Sequence, residues 1–245
     1  ALGVNDFVPI LYSSSDVGST WHDEGPIWPH LSAAYSLFGS ISSPGPGDFF
    51  FYGTATPIDE QGELFWFDES QTMKPNKLFI ARSSDGREWS DPDFIELPAA
   101  GAAEAPGALC VTRSGRWVAC FALENTPDPN ITVDRRRIIA ILSDDEGATW
   151  QHSEMHCFEQ EHSGGAEAWA IELSDGRLLG TSWHIDHSDQ CDHPNAWSLS
   201  HDGGQTWTPT RSTGIMGQST ALAALSDGRA LFVYNQRKHG EVGVW

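Results

Sequence analysis

The sequence is poor in basic residues. Its 245 residues include 14 lysines and arginines against 34 aspartates and glutamates, which gives a formal net charge of −20. A negative surplus of this size repels phosphate backbones at long range, so nucleic acid is not expected as a partner. An anionic ligand would need a local group of basic side chains.

Long hydrophobic runs are also lacking. No apolar stretch approaches the roughly 18 residues that a membrane-spanning helix requires, and the first residues show no charged segment followed by a long apolar one, so no signal peptide is visible. We expect a soluble globular protein without a membrane span. The last residues, GEVGVW, read like a strand cut short.

Cysteine is scarce, and its spacing is uninformative. The four cysteines, at 110, 120, 157 and 191, form no C-x-x-C pair and no zinc-ribbon pattern. Cys110 and Cys120 flank a turn and could face each other across a hairpin, where the register decides whether a disulfide can form. The cellular compartment stays open on this basis.

What the sequence does contain is a repeat of the pattern S-x-D-x-G-x-T-W. Its copies are SSDVGSTW at 14–21, SSDGREW at 83–89, SDDEGATW at 143–150 and SHDGGQTW at 200–207. Aspartate can accept backbone hydrogen bonds, glycine can take a positive φ, and tryptophan can bury a large ring. Each copy is therefore predicted to close a β-turn, a structural role.

A second repeated piece precedes the later copies. Residues 105–123, 168–183 and 219–235 each read as an apolar strand, a polar S-D-G-R or S-G-R turn and another apolar strand, the pattern of a β-hairpin. A third strand leads into each copy and a fourth follows it. Four-stranded antiparallel units of roughly sixty residues, repeated radially, predict an all-β fold, a β-propeller.

Counting these units divides the single domain, residues 1–245, into successive blades. The predicted division is half-blade A at about 7–30, blade B at 31–98, blade C at 99–160, blade D at 161–212 and partial blade E at 213–245. A stack that ends in half-blades would expose strand edges, so we expect this chain to be a segment of a longer propeller.

Antiparallel strands also predict which segments share a face. The S-D-G-R turns and the tryptophan-ending repeats fall on one side, and everything that precedes a first strand or follows a second strand falls on the other. The second side collects Glu104, residues 124–134, Glu167, residues 184–193, Gln218, residues 237–240 and the long blade B segment 54–75. Chemically varied loops on a repeated scaffold favour this side as the site.

The S-x-D-x-G-x-T-W repeat resembles the Asp-box repeat of sialidases, across essentially the whole chain. The resemblance implies a six-bladed parent and an exo-acting glycoside hydrolase that removes a terminal sialic acid or other acidic sugar from a glycan. It implies no cofactor, and it slightly favours a secreted or periplasmic location. Sialidases hold the substrate carboxylate with three arginines and use a tyrosine nucleophile paired with a glutamate, with an aspartate as acid/base.

Two segments carry this resemblance to individual residues. AEAWAIELSDGRLL places Glu167 where the family has the tyrosine-activating glutamate, and the segment from GQST to YNQRKHG places Arg237 where it has a carboxylate-binding arginine. Trp183 and His184 stand where another arginine of the triad is expected. The segments with the remaining arginine, the acid/base aspartate and the tyrosine are not recognisable.

The segment HIDHSDQCDH, residues 184–193, contains three histidines, three aspartates and a cysteine. Its spacing matches no established ligand pattern, so no metal site is predicted. His184 and Asp186 are candidates for proton transfer or substrate contact, since histidine titrates near neutrality. Gln218 and Glu104 are candidates for substrate binding, Glu104 because it occupies the offset in blade C that Glu167 occupies in blade D.

Two other functions remain open. One is a non-catalytic Asp-box propeller that binds glycan or protein, which the missing arginine at 183–184 favours. The other is a different glycan-cleaving enzyme, such as a polysaccharide lyase, that uses His184 and Asp186.

Overall fold

The computed structural model describes residues 3–245 and is built from β-strands, with no α-helix in that range. The strands form antiparallel sheets that follow one another along the chain. The predicted all-β propeller is confirmed. Within the described residues, no helix has the length and apolar character needed to cross a membrane.

Sheets A and B come from the first part of the chain. Sheet A is a hairpin of β1 (Ile10–Ser13) and β2 (His22–Pro26). The next strands are β3 (Tyr35–Gly45), β4 (Asp48–Pro57), β5 (Trp66–Phe67), β6 (Thr72–Met73), β7 (Lys77–Ser83) and β8 (Asp93–Ile95). Sheet B pairs four of them in the order β3-β4-β7-β8, and β5 and β6 form a separate hairpin between β4 and β7.

Sheets C, D and E repeat the same plan. In sheet C the first strand of the plan is divided into two short strands, and both pair with the same long strand. Sheet E has three strands. Sheet C contains β9 (Ala102–Glu104), β10 (Cys110–Val111), β11 (Trp117–Glu124), β12 (Arg137–Ser143) and β13 (Gln151–Cys157). Sheet D contains β14 (Ser163–Glu172), β15 (Leu178–Asp186), β16 (Cys191–Ser200) and β17 (Arg211–Ser212). Sheet E contains β18 (Thr220–Ala224), β19 (Ala230–Gln236) and β20 (Gly243–Val244).

The core lies between neighbouring sheets. Every residue of β11 is buried, so this strand packs on both of its faces. Phe121 and Trp117 belong to a cluster with Phe50 and Tyr52 of sheet B, whereas Val118 and Cys120, on the opposite face of β11, pack with Leu178 of sheet D. Face-to-face packing of this kind buries the near-continuous apolar runs that the sequence shows.

The Asp-box repeats form tight turns, as predicted. Asp145 Oδ1 accepts a hydrogen bond from the Thr149 backbone N–H at 2.8 Å, and Oδ2 accepts one from the Thr149 hydroxyl at 2.6 Å. The same pair of contacts joins Asp202 to Thr206. In the shortened second copy, Asp85 accepts instead from two successive backbone N–H groups. The serine hydroxyl two residues earlier also donates to each aspartate, so one carboxylate satisfies three donors within each turn.

Arg116 shows that the hairpin turns and the Asp boxes share one face. It is the arginine of the S-G-R turn of sheet C, and its guanidinium donates to Asp144 Oδ1 at 2.7 Å in the same sheet. Its Nη1 donates to the Gly203 carbonyl of the next sheet at 3.1 Å. These contacts fix the opposite face as the side where the second strands end.

The four cysteines are free. Cys110 pairs across the sheet with Val118, and Cys120 pairs with Ala140, so the two cysteines are not opposite each other. A Cys110–Cys120 disulfide, considered from the sequence, is therefore not present. The register of the β10–β11 hairpin is the reason.

Candidate active site

A cleft of about 220 Å³ opens on the face opposite the Asp boxes. On this face the first strand of a sheet begins and the second strand ends, and the loop after the second strand starts. Three successive parts of the fold contribute residues to the cleft. Its lining comes from the β5–β6 hairpin (Trp66, Gln71, Met73), from sheet C (Glu104, Glu124, Arg135) and from sheet D (Ala166, Glu167, Trp183, Ile185, His187, Gln190). The strand ends thus bring together residues that are more than a hundred positions apart in sequence.

Glu167 occupies an irregular point of β14. The register of β14 against β15 shifts between Ala166 and Trp169, and Glu167 has a φ of 50°, in the left-handed region that non-glycine residues rarely adopt. Its carbonyl accepts a hydrogen bond from the Thr220 hydroxyl at 3.1 Å. Bulges and strained backbone of this kind are frequent beside functional sites, where they redirect a side chain.

The Glu167 carboxyl is largely desolvated. Its Oε2 is buried and has no hydrogen-bond partner among the described residues. Burial raises its pKa, and a hydrogen bond with Ser219 and the positive charge of Arg237 oppose that rise. A buried acceptor without a partner is costly in a folded protein, so this oxygen is available to a ligand or a proton.

Glu104 lies next to Glu167. Its Oε2 accepts a hydrogen bond from the Glu167 backbone N–H at 2.7 Å. Burial, together with the negative charge of Glu167, raises the pKa of Glu104 well above its usual range. Burial therefore favours the protonated form of both carboxyls, and the charge of Glu167 favours it further at Glu104.

A third carboxyl, Glu124, ends β11 and forms an ion pair with Arg135, with 2.7 Å between Oε2 and Nη2. Burial raises the pKa of Glu124 to about 7, although the guanidinium opposes this. Arg135 was not among the residues selected from the sequence. The segment 124–134 was predicted to lie on this face, and Arg135 is the next residue. Extending the predicted loop by one residue would have included it.

Arg237 and Lys238 approach the cleft from sheet E. The Arg237 Cζ lies 5.9 Å and the Lys238 Nζ 5.3 Å from the ring centroid of Trp183. Trp183 Nε1 is buried without a hydrogen-bond partner among residues 3–245. The cleft therefore combines an aromatic ring, two cations at its edge and the Glu167 carboxyl.

Gln218, expected as a substrate-binding residue, is fully buried. Its Nε2 donates to Asp192 Oδ2, and its Oε1 accepts from the Arg237 backbone N–H at 2.8 Å. Both ends of the amide are occupied, so Gln218 supports the segment that carries Arg237 and does not face a ligand.

His184 does not line the cleft. Its ring stacks on Phe158 with centroids 4.3 Å apart and lies 4.6 Å from His193, and its Nε2 is 3.1 Å from Ser163 Oγ. Burial and the neighbouring His193 lower its pKa to about 4. His184 is thus neutral and packed at neutral pH, on the side of β15 away from the cleft.

Asp186 also lies outside the cleft, where it accepts hydrogen bonds from the Ser188 N–H at 2.8 Å and hydroxyl at 2.6 Å. The strand β15 continues to Asp186, and side chains alternate along a strand. Trp183, Ile185 and His187 therefore line the cleft while His184 and Asp186 do not. The two residues selected from the sequence therefore lie on the strand that lines the cleft, but on its other side.

Among residues 3–245, no group of three or more His, Cys, Asp or Glu side chains is arranged to hold a metal ion. Asp192 is instead engaged by Lys238, His239 and Gln218.

Comparison with known proteins places the chain among repeat propellers. Residues 54–242 match the family described as BNR repeat-like domain. No curated protein matches the chain.

Solved structures share the fold at low identity. A protein of unknown function from Dyadobacter fermentans aligns with a TM-score of 0.72 and 21% identity, over 100% of this chain and 68% of that one. The Hadza microbial sialidase Hz136 aligns with a TM-score of 0.68 and 20% identity, over 94% of this chain and 47% of the sialidase. An α-L-arabinanase of Penicillium chrysogenum, solved with arabinobiose, aligns with a TM-score of 0.57 and 14% identity, over 96% of this chain and 64% of the arabinanase. The chain thus spans about half the length of the sialidase, and these likenesses show the fold alone.

Proposed function

The chain belongs to the BNR repeat-like domain family, and we propose that its cleft forms part of the active site of a glycoside hydrolase that removes a terminal acidic sugar. One observation carries the proposal: Glu167 presents a buried carboxyl oxygen without a partner among the described residues, in a cleft that Arg237 approaches. A proton acceptor and a guanidinium in one cleft suit a sugar that bears a carboxylate.

In the proposed reaction Arg237 binds the carboxylate of the sugar. A planar guanidinium matches a carboxylate with two parallel hydrogen bonds and remains charged at any working pH. Arg237 is exposed, and no carboxylate of residues 3–245 lies within ion-pair distance of it. Its donors are therefore free for a ligand.

Glu167 acts as the base in this proposal. A substrate carboxylate beside the reacting carbon repels an anionic nucleophile, whereas a neutral hydroxyl that loses its proton as it attacks is not repelled. In the sialidase type of reaction this hydroxyl belongs to a tyrosine. No tyrosine of residues 3–245 lines the cleft, so the proposal requires one from another segment.

Glu104 and Trp183 have supporting roles. A Glu104 carboxyl that keeps its proton can donate a hydrogen bond to a sugar hydroxyl, and Trp183 offers an indole N–H together with an apolar ring face. Both residues line the cleft with Glu167.

The test is hydrolysis of a fluorogenic sialoside by the natural protein that contains this chain. We expect Glu167→Gln to lower kcat/KM by about 100-fold or more, since a missing general base typically costs 10²–10⁴-fold. Arg237→Lys should raise KM because lysine cannot make the bidentate contact with the carboxylate of the sugar. Glu69→Gln, an exposed carboxyl outside the cleft lining, is the matched control. Full activity of Glu167→Gln would remove the proposed role.

A second candidate is a propeller that binds glycan without cleaving it. Trp183 favours it, because a tryptophan stands where the resemblance implies an arginine. This candidate predicts that N-acetylneuraminic acid binds to the wild type and that the sialoside is not hydrolysed. Substrate profiling against uronic-acid polymers and arabinan would detect another glycan-cleaving activity on the same fold.

A further inference from the structure

One buried carboxylate joins sheet D to sheet E. The side chain of Asp192, in β16, has no exposed surface. Its Oδ1 accepts a hydrogen bond from Lys238 Nζ at 2.9 Å, its Oδ2 lies 3.2 Å from His239 Nε2, and Oδ2 also accepts from Gln218 Nε2. Lys238 and His239 follow Arg237 directly, and Gln218 precedes β18 of the same sheet, so Asp192 spans the junction between two blades.

Residues 237–240 follow the end of β19 and have no regular strand pairing to hold them. Their backbone is held by two buried glutamine side chains. Gln218 Oε1 accepts from the Arg237 N–H at 2.8 Å, and Gln236 Oε1 accepts from the N–H groups of Lys238 at 3.2 Å and His239 at 2.8 Å. Because Gln218 also donates to Asp192, a continuous path of two hydrogen bonds runs from Asp192 to the Arg237 backbone.

The two cations Arg237 and Lys238 differ in whether a carboxylate balances their charge. Burial opposes ionisation of Asp192, but hydrogen bonds from Lys238 and Gln218 and the charge of Lys238 hold its pKa below the usual range. The Lys238 charge is therefore balanced by Asp192, whereas Arg237 has no carboxylate within ion-pair distance among the described residues. Breaking such a buried contact would leave a desolvated group without its partner.

We propose that Asp192 is a positioning residue that holds Arg237 beside Trp183 at the edge of the cleft, through Lys238, His239 and Gln218. Arg237 is exposed, so its location depends on the backbone of the 236–239 turn and hence on these contacts. An acidic ligand then meets Arg237, while Lys238 is neutralised. The ligand part of this inference rests on the proposed function, and the structural part does not.

The first test is backbone hydrogen exchange at residues 237–239 in Asp192→Asn. This variant keeps the shape of the side chain but removes its charge, and we expect exchange at these amides to be about tenfold faster or more. Asp186→Asn is the matched control, since Asp186 lies on the neighbouring strand and bonds only to Ser188. It should leave exchange at 237–239 unchanged. Unchanged exchange in Asp192→Asn would overturn the proposal.

The second test measures binding of N-acetylneuraminic acid by calorimetry. Asp192→Asn should weaken binding by about tenfold in the wild-type background and by less than twofold in an Arg237→Ala background, because Asp192 acts through Arg237. Equal losses in both backgrounds would overturn this route of action.

If Asp192→Asn fails to fold, Lys238→Met serves in its place. It removes one contact of Asp192 at the surface and should increase exchange at the same amides, and unchanged exchange would again contradict the proposal. If exchange is faster in Asp192→Asn but the wild type does not bind N-acetylneuraminic acid, the result supports the positioning role of Asp192 and counts against the proposed function. The two failures are thus distinguishable.

Discussion

The backbone N–H of Glu167 donates a hydrogen bond of 2.7 Å to Oε2 of Glu104, across the junction of sheets C and D. Glu104 ends β9, and Glu167 lies in the irregular part of β14, so two blades contribute carboxyls from corresponding positions. Burial raises the pKa of both groups, and the Glu167 charge adds to the rise at Glu104. Both carboxyls consequently favour the protonated form more than an exposed glutamate does.

This pair predicts a pH dependence for Glu104→Gln. The pKa of Glu104 is raised in the folded state, so the unfolded chain ionises first and the wild type loses stability as the pH rises above about 4.3. Glutamine does not titrate, so the variant escapes this loss. We expect the unfolding free energy of the variant, relative to wild type, to increase by about 1 kcal/mol or more between pH 4 and pH 7. Urea denaturation at both pH values measures it.

Glu69→Gln is the control for that experiment, because Glu69 is exposed. Its stability relative to wild type should be the same at both pH values. A constant difference for Glu104→Gln as well would show that the pair does not retain a proton.

The Asp boxes should affect stability without affecting the cleft. Asp145→Ala removes the acceptor for both Thr149 contacts, so we expect the variant to have a lower free energy of unfolding than the wild type, as for the loss of a helix cap. The dissociation constant of the folded variant for its ligand should stay within twofold of the wild-type value, since the box lies on the face opposite the cleft. Denaturation and calorimetry test the two parts, and a binding loss in folded protein would contradict the structural role of the box.

Buried histidine should make the protein sensitive to acid. His156 is fully buried with Nδ1 2.8 Å from Ser182 Oγ, and burial lowers its pKa to about 3. The unfolded chain therefore binds a proton below about pH 6.5 while the folded chain does not, so stability is lost as the pH falls from there toward 3. Between pH 6.5 and pH 5 this loss is up to about 2 kcal/mol.

His156→Gln removes that titration, so its melting temperature should fall less than that of the wild type between pH 7.5 and pH 5. His201→Gln, at an exposed histidine, should follow the wild type. Parallel acid profiles for His156→Gln and wild type would rule out this histidine as the source of acid sensitivity.

The candidate site was only partly predictable from the sequence. The offset within the repeat and the resemblance to sialidases selected Glu167, Glu104 and Arg237, and the structure places these at or beside one cleft; their functional roles stay predictions. His184 was chosen for its chemistry, but the extension of β15 turns its ring toward Phe158. Arg135 escaped notice because it lies one residue beyond the loop that was assigned to this face.

The sequence by itself determined the repeat, the turns and the all-β propeller, because these depend on local patterns. A box needs only its own aspartate, threonine and glycine, and a hairpin needs alternating or apolar strands around a turn. Only the tertiary structure decided which side chains share the cleft. The bulge at Glu167, the alternation along β15 and the contact of Asp192 with sheet E arise from packing between blades, where residues distant in sequence bury one another's polar groups.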